Sequence, residues 1–111
     1  MRLFGSRTDD LPAPVAAADA LLVDLDGVVY RGANAVPHAV EALNAASDRG
    51  TRVGYITNNA SRTDADVAEH LRTLGLRTEA QDVVTSPQAA VRLLSEQVPT
   101  GSLVLVVGGA G

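Results

Sequence analysis

The chain has 111 residues, 46% apolar and 20% charged, which suits one folded domain and excludes both a disordered tract and two complete domains. Net charge is −4 and the nine basic residues, all Arg, are scattered from Arg2 to Arg92 without forming a stripe, which argues against nucleic acid as a partner. Cys and Lys are both absent, so disulfides, thiolate metal sites, cysteine nucleophiles and lysine-assisted phosphate chemistry are excluded within these residues.

Residues 1–16 mix Gly5, Pro12 and Pro14 with Asp9 and Asp10, and read as a tail. No apolar stretch of signal-peptide length follows Met1, and no run reaches the ~18 residues that span a bilayer. A cytoplasmic protein without a membrane partner is the expectation. From Asp19 onward, short apolar runs alternate with amphipathic segments, the pattern of βαβ units and a mostly parallel sheet.

The first strand, Leu21 to Leu25, delivers Asp24 and Asp26 at its end. Pro37 suits the first turn of a helix whose face carries Val40, Leu43 and Ala46 and which Gly50 ends. Arg52 to Thr57 is the second strand, finished by Asn58 and Asn59. A helix follows from Thr63 to Leu74, with Asp64 and Asp66 in the first turn, where the helix dipole favours acids. Val67, Leu71 and Leu74 form its buried stripe, and Gly75 stops it. Asp82 to Ser86 is a third strand, with Ser86-Pro87 as cap and first turn of a helix to about Gln97.

Leu103 to Val107 reads as a fourth strand, closed by Gly108-Gly109-Ala110-Gly111. A strand ending there would lie at an unprotected sheet edge, so the chain is expected to be the front part of something longer. With two Tyr, one Phe and no Trp, the core should be built from Ala, Val and Leu.

Asp24-Leu25-Asp26-Gly27 carries the chemistry. In an extended chain its two acids project to the same side, roughly 6–7 Å apart, while Leu25 points into the core. Two such carboxylates repel unless a cation, a shared proton or water answers for them, and a divalent metal is the simplest answer. The spacing suits one carboxylate as nucleophile or metal ligand and the other as proton donor. The plain alternative is an acidic turn after a strand. At the end of the next strand, Thr57-Asn58-Asn59-Ala60-Ser61 offers uncharged donors of the kind that hold phosphate oxygens. His38 and His70 read as solvated or capping residues, and Arg62 as a surface arginine able to steer an anionic substrate.

The run from Leu22 through Asp24 and Asp26 to Gly32 resembles the first motif of the haloacid dehalogenase superfamily of phosphohydrolases. Ile56 to Thr63 resembles the second, in the large-cap subfamily that includes nitrophenyl-phosphate, pyridoxal-phosphate and phosphoglycolate phosphatases. The resemblance implies a three-layer, Rossmann-like α/β core, incomplete here. Residues 1–16 would be tail, 17–86 the N-terminal part of the core, and 87–111 the truncated start of an α/β cap.

It also implies Asp24 as the nucleophile, giving an aspartyl-phosphate, and Asp26 as the acid and later base. Mg²⁺ would be held by the Asp24 carboxylate and the Asp26 backbone carbonyl. Thr57, with the Asn58 and Asn59 backbone, would bind the phosphoryl group of a small phosphorylated metabolite. A homo-oligomer through the cap of the full-length protein is a further implication.

The family pattern adds a Lys and an acidic metal ligand after the cap, whereas this chain has no Lys and no acid beyond Glu96. Two other readings stay open. One is a receiver-like or other non-catalytic phosphate- or metal-binding module, although receivers need a lysine and a preceding acidic pair that are missing. The other is an inactive truncated member of the family.

Overall fold

The computed structural model describes residues 14–108; the first thirteen residues of the expected tail, and the last three of the glycine turn, lie outside the described residues. A 3-10 turn, Pro14–Ala17, leads into β1 (Ala20–Asp24). A small antiparallel hairpin follows, formed by β2 (Tyr30–Arg31) and β3 (Asn34–Ala35), and then α1 (Ala39–Asp48). Next come β4 (Arg52–Thr57), α2 (Asp64–Thr73), β5 (Val83–Thr85) and α3 (Ser86–Gln97). Strands β1, β4 and β5 form one parallel sheet in that order, so the expected α/β class and parallel pairing hold.

Side-chain alternation along the strands splits the sheet into two unlike faces. Leu25, Tyr55 and Val83 point to one side and join Val67, Ala68 and Leu71 of α2 in a buried cluster, with Val40 and Leu43 of α1 packed against it. Each fully buried Leu or Val there contributes about 1.5–3 kcal/mol. Leu22, Ile56 and Val84 point to the other side, where they are 76%, 41% and 49% exposed. Among the described residues the sheet is therefore covered on one face only, two layers of the expected three.

The α2 start is the one its sequence encodes. The Thr63 hydroxyl accepts from Asp66 N at 3.1 Å while Asp66 Oδ2 accepts from Thr63 N at 3.3 Å, so two otherwise orphaned donors are satisfied reciprocally. At α3 the same device sits one residue earlier than expected. Thr85, not Ser86, is the cap: its hydroxyl accepts from Gln88 N, and Gln88 Oε1 accepts from Thr85 N at 2.9 Å. Ser86 is thereby left free for another contact.

Two expectations are corrected. Both tyrosines belong to the core, Tyr30 at 8% and Tyr55 at 3% exposure, because a phenol supplies a large apolar ring as well as a polar tip. Leu103–Val107 pairs with nothing among the described residues and remains exposed, since backbone without a neighbouring strand has no ladder to join.

Burial, and secondarily the Asp82 carboxylate, raise the Tyr55 phenol above its ordinary value of 10.0. A raised acid stabilises the fold fully below the unfolded value, and that contribution is lost as pH climbs through the folded one. The denaturation midpoint is therefore expected to fall as pH rises past about 10, and to fall less in Tyr55→Phe. Equal slopes for the two proteins would remove Tyr55 from the account.

Candidate active site

Parallel pairing sets Asp24 beside Ile56, so the last residue of β1 lies next to the end of β4. Immediately afterwards the chain curls. The Leu25 carbonyl accepts from Val28 N, Val29 N and Tyr30 N at 3.1, 2.8 and 3.3 Å, and Gly27 N donates to the Tyr30 carbonyl at 2.8 Å. Gly27 adopts φ +80°, a conformation costly for any residue with a Cβ. This curl ends β1 at Asp24, one residue before the expected Leu25. Leu25 is fully buried between the exposed Asp24 and Asp26, as the spacing requires.

The Thr57 loop is organised by its own side chains. Thr57, 7% exposed, accepts from Asn59 N through its hydroxyl at 3.1 Å. Asn59 Oδ1 in turn accepts from Ser61 N at 2.9 Å and from the Ser61 hydroxyl at 2.6 Å. Ser86 and Gln88, both unanticipated, tie the β5–α3 junction to this loop and to the first turn of α2 respectively. The Ser86 hydroxyl donates to the Asn58 carbonyl at 3.2 Å, and Gln88 Nε2 donates to Asp64 Oδ2 at 2.8 Å. The signal for them was topological: in a parallel sheet every strand ends at the same edge, so Thr85-Ser86 had to arrive there too.

Two cavities meet at this edge and share Thr57 and Asn58. Asp24 borders the first, with Ile56, Val84, Thr85 and Ser86. The second, about 180 Å³, is lined by Asp26, Tyr30, Gly32, Asn59 and Arg62. All five expected site residues thus gather at one edge, with the two acids on either side of the Thr57–Asn58 corner rather than lining one wall.

Tyr30 and the hairpin also escaped the sequence. His70 on α2 reaches the Gly32 carbonyl at 3.2 Å and meets the Tyr30 ring edge-on, with centroids 4.8 Å apart. It therefore docks the hairpin onto the body of the domain rather than lying free in solvent. Burial raises the Tyr30 phenol from its ordinary 10.0, Arg62 opposes this, and Asp26 and Asp24 add to it.

The donors on offer are carboxylate, carbonyl and hydroxyl oxygens, which suit a hard divalent cation; magnesium commonly takes one or two carboxylates and completes its shell with water and phosphate. Asp24 and Asp26 meet that minimum. Among the described residues no third His, Cys, Asp or Glu joins them.

A family profile described as haloacid dehalogenase-like hydrolase matches residues 21–111. The chain belongs to that family. This haloacid dehalogenase-like chain is 44% identical over 90 residues to D-glycerol 3-phosphate phosphatase of Mycobacterium tuberculosis, covering 81% of itself and 25% of that relative. It is 53% identical over 75 residues to human glycerol-3-phosphate phosphatase, covering 68% of itself and 22% of the relative. The crystal structure of the mycobacterial glycerol phosphate phosphatase in complex with magnesium superposes with a TM-score of 0.81 at 41% identity, over 89% of this chain and 29% of that one. The chain spans about a quarter of the length of these curated relatives.

Within this dehalogenase-like site, Thr57→Val keeps the shape of the side chain and removes the acceptor of the Asn59 N–H. A loss of about 1 kcal/mol of stability is expected, read from denaturant unfolding. An unchanged denaturation midpoint would show that the loop needs no hydroxyl.

Proposed function

We propose that this chain supplies the nucleophile and phosphoryl-binding half of a magnesium-dependent phosphohydrolase acting on small phosphomonoesters. One observation carries the reading: Asp24 and Asp26 stand on the two sides of a corner built by Thr57 and Asn58, at the carboxyl edge of adjacent parallel strands. The activities of the two glycerol phosphate phosphatases support it.

In this reading an Asp24 carboxylate oxygen attacks phosphorus in line, the ester oxygen leaves with its electron pair, and the Asp26 carboxyl donates the proton that makes it an alcohol. The covalent product is an aspartyl-phosphate on Asp24. Asp26, now a carboxylate, takes a proton from water, which attacks phosphorus and frees phosphate and Asp24. Thr57 and the Asn58 and Asn59 backbone hold the equatorial oxygens, where most of the charge is spread. The Asn59 N–H enters this role by exchanging its Thr57 acceptor for a phosphate oxygen. A magnesium ion held by the Asp24 carboxylate and the Asp26 carbonyl would lower the repulsion between an anionic nucleophile and an anionic ester.

Residues 17–86 act here as the front part of the core and 87–111 as the opening of a cap, a division that the absence of buried residues in α3 supports. The deciding test is magnesium-dependent turnover of nitrophenyl phosphate by this chain and by a family-length chimera, in which it replaces the matching segment of the mycobacterial phosphatase. Robust turnover by the chimera and weak or absent turnover by the 111-residue chain are expected, because the latter lacks the lysine and the further acid. A chimera that folds, binds magnesium and turns nothing over would overturn the reading.

A further inference from the structure

We propose that Ser86 is a positioning residue for phosphoryl binding: by holding the Asn58 carbonyl, its hydroxyl aims the Asn59 N–H at the transferring group. This rests on the phosphohydrolase reading above and goes beyond it in naming the side chain that orients one of the donors. The Asn58 carbonyl and the Asn59 N–H belong to one planar trans peptide unit, and so point in opposite directions. Whatever fixes the carbonyl fixes the N–H.

Two side chains hold that unit. The Ser86 hydroxyl donates to the carbonyl at 3.2 Å, and the Thr57 hydroxyl accepts from the N–H at 3.1 Å. The second bond is given up when the N–H turns to a phosphate oxygen, so of the two only the first still opposes a flip of the peptide once phosphate is bound. A flipped unit would present its carbonyl oxygen to the phosphoryl group, an acceptor facing an acceptor. The bond from Ser86 also polarises the amide and makes its N–H a better donor.

The local fold leaves Ser86 available for this. Thr85 caps α3, so the Ser86 hydroxyl is not drawn into the helix start, and Ser86 borders the same cavity as Asp24, Thr57 and Asn58. Two residues further on, Gln88 makes a separate tie to Asp64 at 2.8 Å and never touches the 58–59 peptide, which makes it the control for a loosened junction.

The test uses the 111-residue chain with magnesium, titrated with inorganic phosphate while the Asn58 carbonyl carbon and the Asn59 amide are followed by NMR. Ser86→Ala is expected to weaken phosphate binding about fivefold, the scale of one lost hydrogen bond, and to shift both signals before any phosphate is added. Ser86→Thr keeps the donor and should bind within about twofold of the parent. Gln88→Ala removes half of the α3 capping box, so it should lower the denaturation midpoint more than Ser86→Ala does while phosphate affinity stays within about twofold.

Unchanged phosphate affinity in Ser86→Ala would overturn the proposal. So would a loss with both signals unmoved in the phosphate-free chain, which would make Ser86 a direct phosphoryl ligand, or an equal loss in Gln88→Ala, which would make the effect one of a loosened helix. Any of these in a parent that binds phosphate sinks this inference alone, whereas a parent that does not bind phosphate sinks it together with the site reading.

Discussion

Asp24→Asn is expected to reduce phosphomonoester turnover by about a thousandfold or more, measured with nitrophenyl phosphate in the family-length chimera. The amide matches the carboxylate in shape and can still accept from Leu25 N, the 2.8 Å contact that Asp24 Oδ1 makes. The fold should therefore persist, with unchanged circular dichroism and denaturation midpoint. On the proposed reading, what disappears is the anionic oxygen that would attack phosphorus and hold part of a cation's shell. Turnover within tenfold of the parent would place the nucleophile elsewhere and remove the covalent step. Asp26→Asn separates the roles: it should spare a leaving group as good as nitrophenolate more than it spares an alkoxide, because only the latter needs the proton.

The largest effect on stability is expected from Leu71→Ala. Leu71 is fully buried at the centre of the cluster formed by Leu25, Val29, Tyr55 and Val67, so its removal leaves a cavity and not merely lost transfer free energy. Such substitutions cost about 2–5 kcal/mol, a large part of the roughly 5–15 kcal/mol that holds a domain together. A sheet covered on one face only starts at the low end of that range, so unfolding near room temperature is the expected outcome, followed by circular dichroism in a denaturant series. Val91→Ala is the comparison. Val91 lies on α3 at 66% exposure and should shift the midpoint by no more than about 0.5 kcal/mol. Similar losses at both positions would mean that the buried cluster is not what holds the chain.

What the sequence disclosed is what short-range rules encode. Apolar alternation around Val23 and Tyr55, the acids after Thr63 and the glycine stops at Gly50 and Gly75 are each written within a few residues, and the elements formed where they point. Asp24 and Thr57 were legible because polar residues at the ends of apolar strands in a parallel sheet are driven to one edge. The hairpin was not, for each of its strands has two residues and neither carries a periodic signal. It is held by His70, whose partner Gly32 lies 38 positions away. The Ser86 clasp on Asn58 spans 28 positions and was hidden for the same reason. Tyr30 and Tyr55 were missed because composition reports how many aromatic rings a chain has, but not where they are spent.

The bare side of the sheet ties assembly to chemistry. Leu22, Ile56 and Val84 share it with Asp24, which follows Leu22 by two residues and therefore projects in the same direction. Whatever polypeptide shields that greasy strip from water must come to rest alongside the carboxylate, carrying its own charges with it. A segment that buried these side chains would therefore also set its own polar groups beside Asp24, so that covering the strip and completing the surroundings of that carboxylate would be one event.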